Sequence, residues 1–309
     1  MILTVTPNPL LDKTLALDAL RSGETHRARR VEMIAGGKGL NVARALVGLQ
    51  EKTLATGFLG GHTGAVVRKL LTRENIPHDF VEIAGATREG FTLLEENFGR
   101  RTTVFEPGPQ LHAHEVEALL QHIEQRLPHC RALALCGSMP CTGFDAMYAN
   151  LIQMAHAARV PVFLDSYDAP LKLGLQAQPQ FLKPNREEAL QTFGIDSRTP
   201  GGMQELLQLL ASSGPHGVFV TDADRPLGIV LNGKQYRAAP PAIPCRNPLG
   251  SGDAMVAGFL YGWLRGMTEL EVIRFAVAAG TVNAMHTVPG YADLEEIQAW
   301  TQKVEINFL

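Results

Sequence analysis

Apolar residues along the chain follow two rhythms. Short runs that are apolar nearly throughout recur at residues 2–6, 54–58, 132–136, 160–164, 180–182 and 217–221. Runs of this length, apolar on both faces, predict parallel strands covered from both sides. Between them, segments of helical period predict helices over 39–49, 63–74, 112–127, 144–158, 187–193 and 203–211. In the third of these, Val116, Leu119, Leu120, Ile123 and Leu127 form a stripe along one helix face. Strand and helix in alternation predict a doubly wound α/β layer structure.

Two regions break the alternation. Residues 15–34 carry strand-like pieces with no helix between them, and 87–106 reads as a hairpin. Its strands, 91–95 and 102–105, flank Asn97-Phe98-Gly99-Arg100, where Gly99 suits a positive φ. Antiparallel strands inserted outside a parallel sheet predict a small second layer or lid. From Gly252 onward the chain turns helical, over 253–265, 269–285 and 294–304. No internal repeat and no low-complexity linker interrupts the 309 residues.

Composition narrows the function classes. Lys plus Arg total 28 and Asp plus Glu 31, a net charge of −3, so no basic field draws in nucleic acid. The densest basic spot is Arg27, Arg29 and Arg30, a pattern also typical of a solvated face. Cys130, Cys136, Cys141 and Cys245 have no C-x2-C spacing and read as reduced thiols. The chain opens on a strand-like Met1-Ile2-Leu3-Thr4-Val5-Thr6 without a signal-peptide pattern. No uncharged stretch approaches the ~20 apolar residues of a membrane span. The expectation is a cytoplasmic protein. Thirty glycines and nineteen prolines raise the question of where they sit.

Three clusters answer it. Gly36-Gly37-Lys38-Gly39 runs into a helix, where backbone N–H groups and the helix start suit an anionic or hydroxylated ligand. It lacks the G-x4-G-K-[ST] spacing of a Walker A loop, and a plain glycine turn gives the same pattern. Gly250-Ser251-Gly252-Asp253 opens a strongly apolar helix. There Asp253 reads equally as a helix-start residue and as a general base beside an anion hole. Lys183-Pro184-Asn185-Arg186-Glu187-Glu188 follows a short strand. Lys183 suits a transferring phosphate, and Asn185 with Glu188 suits Mg²⁺ through water, but a solvated helix start fits as well. Asp12, Arg88 and Ser138 stand at strand ends or turns where ligand contact and surface decoration are both open.

Taken in order, these segments resemble a known family. Thr4-Val5-Thr6-Pro7-Asn8-Pro9-Leu10-Leu11-Asp12, Gly36 to Asn41, Thr87-Arg88, Gly137-Ser138-Met139-Pro140, Lys183 to Glu188 and Gly250 to Asp253 together resemble the ribokinase-like (pfkB) carbohydrate kinases. The branch is that of 1-phosphofructokinase and tagatose-6-phosphate kinase. The resemblance implies one α/β kinase domain over 1–309, a mostly parallel sheet flanked by helices, with lid strands near 12–34 and 87–106. It implies ATP- and Mg²⁺-dependent phosphorylation of a ketohexose monophosphate, fructose 1-phosphate or tagatose 6-phosphate, by a homodimer joined through its lids. Asp253 is then the base and Gly250, Ser251 and Gly252 the anion hole. Asp12, Gly37, Asn41 and Ser138 meet the sugar. Lys38 and Arg88 meet its phosphate, with Arg27 a contributor from the neighbouring subunit. Lys183, Asn185 and Thr221 lie along the nucleotide, Asn283 lies near the adenine, and Asn185 with Glu188 organises Mg²⁺.

Three departures stand out. Relatives carry Ser/Thr-Leu-Gly-x-x-Gly where this chain has Thr221-Asp222-Ala223-Asp224-Arg225-Pro226-Leu227-Gly228, and acidic groups there repel nucleotide phosphates. Asn247-Pro248-Leu249 replaces the commoner Asp-Thr-Val/Ile and resembles the Asn-Pro-Val of tagatose-6-phosphate kinases. Asp165-Ser166-Tyr167-Asp168 replaces Asp-Ser/Cys-Ser-Gly. The first departure raises a rival, a catalytically weak or inactive protein that binds a sugar phosphate or nucleotide, against which the retained Asp253, Gly250–Gly252, Lys183 and Glu188 argue. Lys38 with Arg88 argues against a kinase of an unphosphorylated sugar or nucleoside.

Overall fold

A computed structural model describes residues 1–308. In chain order the first half runs β1 (Ile2–Thr6), β2 (Leu10–Leu17), β3 (Arg30–Gly36), α1 (Lys38–Gly48), β4 (Thr53–Leu59), α2 (Gly61–Arg73), β5 (Val81–Glu82), β6 (Arg88–Glu95), β7 (Arg100–Phe105), α3 (Ala113–Glu124), β8 (Ala132–Cys136) and α4 (Met147–Ala157). The second half runs β9 (Val162–Asp165), α5 (Asp168–Gln176), β10 (Phe181–Leu182), α6 (Arg186–Phe193), α7 (Gly202–Ala211), β11 (Gly217–Asp222), β12 (Arg225–Leu231), β13 (Lys234–Ala239), α8 (Ser251–Trp263), α9 (Glu269–Met285), α10 (Leu294–Thr301) and β14 (Glu305–Phe308).

The main sheet has the order β14-β13-β12-β11-β10-β9-β8-β1-β4-β5. From β5 to β11 every pairing is parallel, and β12, β13 and β14 extend the edge antiparallel. Along β8 the buried side chains alternate. Ala132, Ala134 and Cys136 join the core under α1, α8 and α9, while Leu133 and Leu135 join the core under α3 and α4. Burial on both faces is why these strands read as unbroken apolar runs.

Phe163, Phe181 and Phe219 sit on three neighbouring strands, and Phe259 of α8 meets them at centroid distances of 5.6, 4.7 and 4.9 Å. Such edge-on aromatic contacts fix orientation as well as burying area. They anchor α8, and so set the height at which its first turn stands over the sheet.

The second sheet has four strands in the order β3-β2-β6-β7, with β2 and β6 parallel and its outer pairs antiparallel. It is the lid layer expected from the two interruptions, with β2 already beginning at Leu10 and β3 ending at Gly36.

The structure adds to the sequence reading at two places. Helix α5 does not emerge from the periodicity, because Pro170 and Gly174 read as breakers; Pro170 instead falls in the first turn, where its missing N–H costs nothing. The strands β12, β13 and β14 do not emerge either, since β13 and β14 are short and mixed in polarity and β12 opens on Arg225-Pro226. Asp168, where relatives carry glycine, has φ 54°, a left-handed conformation that Asp tolerates better than most residues. No helix among the described residues is long and apolar enough to cross a membrane.

Candidate active site

The carboxyl ends of β1, β8, β9, β10 and β11 point to one cavity of about 880 Å³, roofed by the lid. Ligands of open α/β sheets bind at such strand ends, and the volume suits a sizeable small molecule. Asp12, Gly37, Lys38, Asn41, Arg88 and Ser138 line one half. Lys183, Gly250, Ser251, Gly252 and Asp253 stand between, and Asn185 and Thr221 lead into the other half. That second half is apolar on its far side, walled by Pro240, Ile243, Val277 and Ala284.

The helix start at α8 is made by its glycine. Gly250 has φ 81°, and a Cβ there would meet the Gly290 nitrogen at 2.6 Å. A side chain is therefore excluded twice over, by conformation and by space. The turn it allows sets the start of α8 on the cavity wall with the helix dipole behind it. The Ser251 N–H donates to the Pro248 carbonyl at 3.2 Å, and those of Gly252 and Asp253 lie in the unpaired first turn.

Asp253 follows in the same turn and is buried. Asn41 Nδ2 donates to its Oδ2 at 2.8 Å. The Asn41 amide is itself oriented, because Arg44 Nη1 donates to its Oδ1 at 2.9 Å while the same guanidinium grips the Pro289 and Ala35 carbonyls. Burial, and then the negative charge of Asp165, push the Asp253 carboxyl up to about 6, against the pull of Lys38, Asn41 and Lys183. A carboxylate tuned upward in this way is a stronger base than an exposed one.

Asp165, the last residue of β9, is fully buried and shared by two ammonium groups. Lys38 Nζ lies 2.6 Å from its Oδ1 and Lys183 Nζ 2.9 Å from its Oδ2. Burial raises the Asp165 carboxyl, but Lys183 and Lys38 outweigh it and hold it below its ordinary range. Lys38 also pairs with Glu188, and despite burial these carboxylates raise its affinity for the proton. Lys183 thus reaches the α8 start, where a Cβ on Gly252 would meet its Nζ at 3.2 Å. Sequence reasoning misses Asp165 as a site residue, although an acidic residue ending an apolar strand is a signal for it.

Asn185 and Glu188 form a reciprocal cap on α6. Asn185 Oδ1 accepts from Glu188 N and Glu188 Oε2 accepts from Asn185 N, both at 2.9 Å. Among the described residues no cluster of three His, Cys, Asp or Glu side chains forms a metal cage.

On the lid side, Arg88 Nη2 donates to the Asn8 carbonyl at 3.1 Å, and its Nε is buried without a partner. Burial pulls its pKa down, and no carboxylate among the described residues pairs with it. Asn8 Nδ2 donates to Ser138 Oγ at 3.2 Å, a contact that sequence reasoning also misses. Asp12 is buried with Oδ1 unpartnered, and burial raises its carboxyl against the pull of Arg101. A cation without counter-ion and a carboxylate with an idle oxygen mark a surface built for a ligand rather than for itself.

Three of the expected residues do not line the cavity. Glu188 is buried behind it, its carboxylate held by Lys38 and the Asn185 N–H. Arg27 is exposed on the β2–β3 connection. Asn283 is fully buried beneath the α8 start. Its Nδ2 donates to the Leu249 carbonyl (2.9 Å) and Ser251 Oγ (3.0 Å), and its Oδ1 accepts from the N–H groups of Gly290 (2.7 Å) and Tyr291 (3.1 Å). Every hydrogen-bonding site on the amide is spent on tying the Leu249–Ser251 turn to the turn at Gly290 and Tyr291. Asn283→Ala is expected to lower unfolding free energy by about 3 kcal/mol, because it strands buried polar groups; urea denaturation measures this, and a change near zero contradicts the role.

A mostly parallel sheet with a four-stranded lid over its carboxyl ends, and a glycine-built helix start beside a buried aspartate, make this a ribokinase-like α/β protein. Residues 6–295 match the model described as pfkB family carbohydrate kinase, and the chain belongs to that family. It is similar over its full length to a Staphylococcus aureus structure assigned provisionally as a phosphofructokinase, with 28% identity, 99% of that chain covered and a TM-score of 0.82. A structure of a possible 1-phosphofructokinase from Thermotoga maritima has 25% identity, a TM-score of 0.90 and the same coverage. Escherichia coli phosphofructokinase-2, at 24% identity, 98% coverage of both chains and a TM-score of 0.87, shares the fold.

Proposed function

We propose that this protein transfers the γ-phosphoryl group of ATP to a hydroxyl of a ketohexose monophosphate, giving a bisphosphate. The observation that carries the reading is the unpaired, half-buried Arg88 facing the same cavity as Asp253 and the α8 start. A neutral sugar gives such a cation no partner, whereas a phosphate fits a guanidinium fork bidentately. Fructose 1-phosphate and tagatose 6-phosphate are the proposed acceptors. Asn247-Pro248-Leu249, with Asn247 Nδ2 donating to the Thr287 carbonyl at 2.8 Å, favours the second by its likeness to the tagatose-6-phosphate kinases.

In this reading Asp12, Asn41, Gly37 and Ser138 hold the sugar hydroxyls. Asp253 takes the proton from the attacking oxygen. The N–H groups at Gly250–Gly252 and the Lys183 ammonium receive the charge of the moving phosphoryl group. Lys38 is committed to Asp165 and Glu188, so the contact to the sugar's phosphate that the resemblance gives to Lys38 and Arg88 together falls to Arg88. The apolar wall at Ile243, Val277 and Ala284 suits the adenine. Mg²⁺ beside Asn185 and Glu188 would be held through water and donor phosphates only, where it would screen negative charge. The side-chain oxygens of both residues already accept within the α6 cap and from Lys38.

The outer lid face supports a homodimer. Met33, Lys13, Phe91 and Val104 share one register row, and Val31, Met33 and Val104 are each more than half exposed. An apolar sheet face of this kind asks for cover. Arg27 is exposed on the β2–β3 connection of the same lid, and is proposed to contribute to the neighbouring subunit's site.

Two experiments test the reading. ADP release measured over a panel of free sugars and sugar phosphates should be fastest with ketohexose monophosphates. Activity on a free sugar alone, or binding without release, overturns it. The pH profile tests the base: because the Asp253 carboxyl is raised to about 6 in the free protein, kcat/KM should fall as pH drops through that value, near tenfold per unit below it. An acid limb near 3.8, the ordinary aspartate value, contradicts the role.

A further inference from the structure

The tip of the β11–β12 hairpin brings two acidic residues to the cavity wall, Asp222 and Asp224. In the function proposed above, this wall faces the donor's phosphates, and a carboxylate there opposes them. The hairpin nonetheless closes tightly, with Ala223 at φ 52°. The Asp222 charge has a dedicated partner. Arg198, from the α6–α7 connection, donates Nε to Asp222 Oδ2 at 2.8 Å and Nη2 to Oδ1 at 2.6 Å. This fork is the geometry in which a guanidinium neutralises a carboxylate most completely.

Arg198 is in turn fixed. Its backbone N–H donates to Asp196 Oδ1 at 3.0 Å, and Asp196 is gripped by Arg186 Nε and Nη2 at 2.8 and 2.6 Å. Arg186 begins α6 directly after Asn185, and Asn185 bridges Thr221 in parallel fashion. A chain of four alternating charges thus ties the α6 start to the hairpin tip. Asp222 is 7% exposed, so without Arg198 its charge would be little screened by solvent.

We propose that Arg198 is a positioning residue for donor specificity: it neutralises Asp222 and holds the hairpin, so that this wall admits a polyphosphate. The proposal rests on the reading of this half of the cavity as the nucleotide half. It accounts for a hairpin that carries acid on this wall.

The test is calorimetric binding of a non-hydrolysable ATP analogue with Mg²⁺, at low and high salt. Arg198→Ala should weaken binding by about tenfold at low salt, and less at high salt, where charges are screened. Adding Asp222→Ala to that variant should restore affinity to within about twofold, the signature of a coupled pair. Asp222→Asn alone should bind as tightly as the unmodified protein or tighter, and this arm decides the matter even should Arg198→Ala fail to fold. Sugar-phosphate affinity should not move in any of them. Weaker binding by Asp222→Asn, unchanged affinity in Arg198→Ala, or a loss that salt and Asp222→Ala leave untouched overturns the proposal alone. Absence of analogue binding in the unmodified protein overturns the nucleotide reading with it.

Discussion

Asp253→Asn is expected to lower kcat by roughly 10²- to 10⁴-fold, the range that a positioned general base supplies. The substitution keeps the shape, and the new side chain still offers an oxygen to Asn41 Nδ2. What it removes is the capacity to take a proton. It also removes a buried charge beside Asp165, so the variant should be no less stable than the parent. Sugar-phosphate affinity should be nearly unchanged, because the contacts proposed for it are Arg88 to the phosphate and Asp12, Asn41, Gly37 and Ser138 to the hydroxyls. Initial rates and equilibrium binding, measured on the same preparation, separate the two effects. Turnover near the parent's level would remove Asp253 from the mechanism.

Arg88→Ala has the opposite signature. Charge-assisted hydrogen bonds to phosphate are among the stronger polar contacts, and losing a fork of them should raise the KM for the sugar phosphate by roughly 30- to 300-fold. The KM for ATP should stay within about twofold, since sites without shared partners act nearly independently. Arg88 donates to two backbone carbonyls, at 3.1 and 3.4 Å, so its removal strands no buried carboxylate and leaves little structural cost to confuse the result. Equal loss of affinity for both substrates would mean that the side chain supports the lid rather than the phosphate.

Much of the site is legible in the sequence because its chemistry sits where strands hand over to helices. Gly36–Gly39, Lys183–Glu188 and Gly250–Asp253 each follow an apolar run or a loop and open a helix, and glycine spacing survives as a local signal. The excess glycine is partly explained there: Gly37 at φ 129° and Gly250 at φ 81° occupy conformations other residues rarely adopt. The lid is legible for a similar reason, as strand-like sequence with no helix between its pieces.

What escapes the sequence is non-local. Asp165 gains its meaning only when Lys38, 127 residues away, and Lys183 converge on it. Asn283 has the same spacing whether it faces a ligand or the inside of a loop, and only the fold shows four partners consuming its amide. The acidic hairpin looks hostile to nucleotide phosphates because Arg198, 24 residues from Asp222, has no local pattern tying it there. Strands β13 and β14, the last two at one side of the sheet, are hidden by their short length and mixed polarity, and at the edge strand β14 polar residues are what an edge needs.

One phosphoryl group passing from ATP to a sugar that already carries one is the chemistry most directly open to measurement. The protein is incubated with ATP, Mg²⁺ and tagatose 6-phosphate or fructose 1-phosphate, and the products are read by mass spectrometry and phosphorus NMR. The expected result is a ketohexose bisphosphate formed in equal amount with ADP. ADP with free inorganic phosphate and unchanged sugar phosphate, or no ADP with either acceptor, would contradict it.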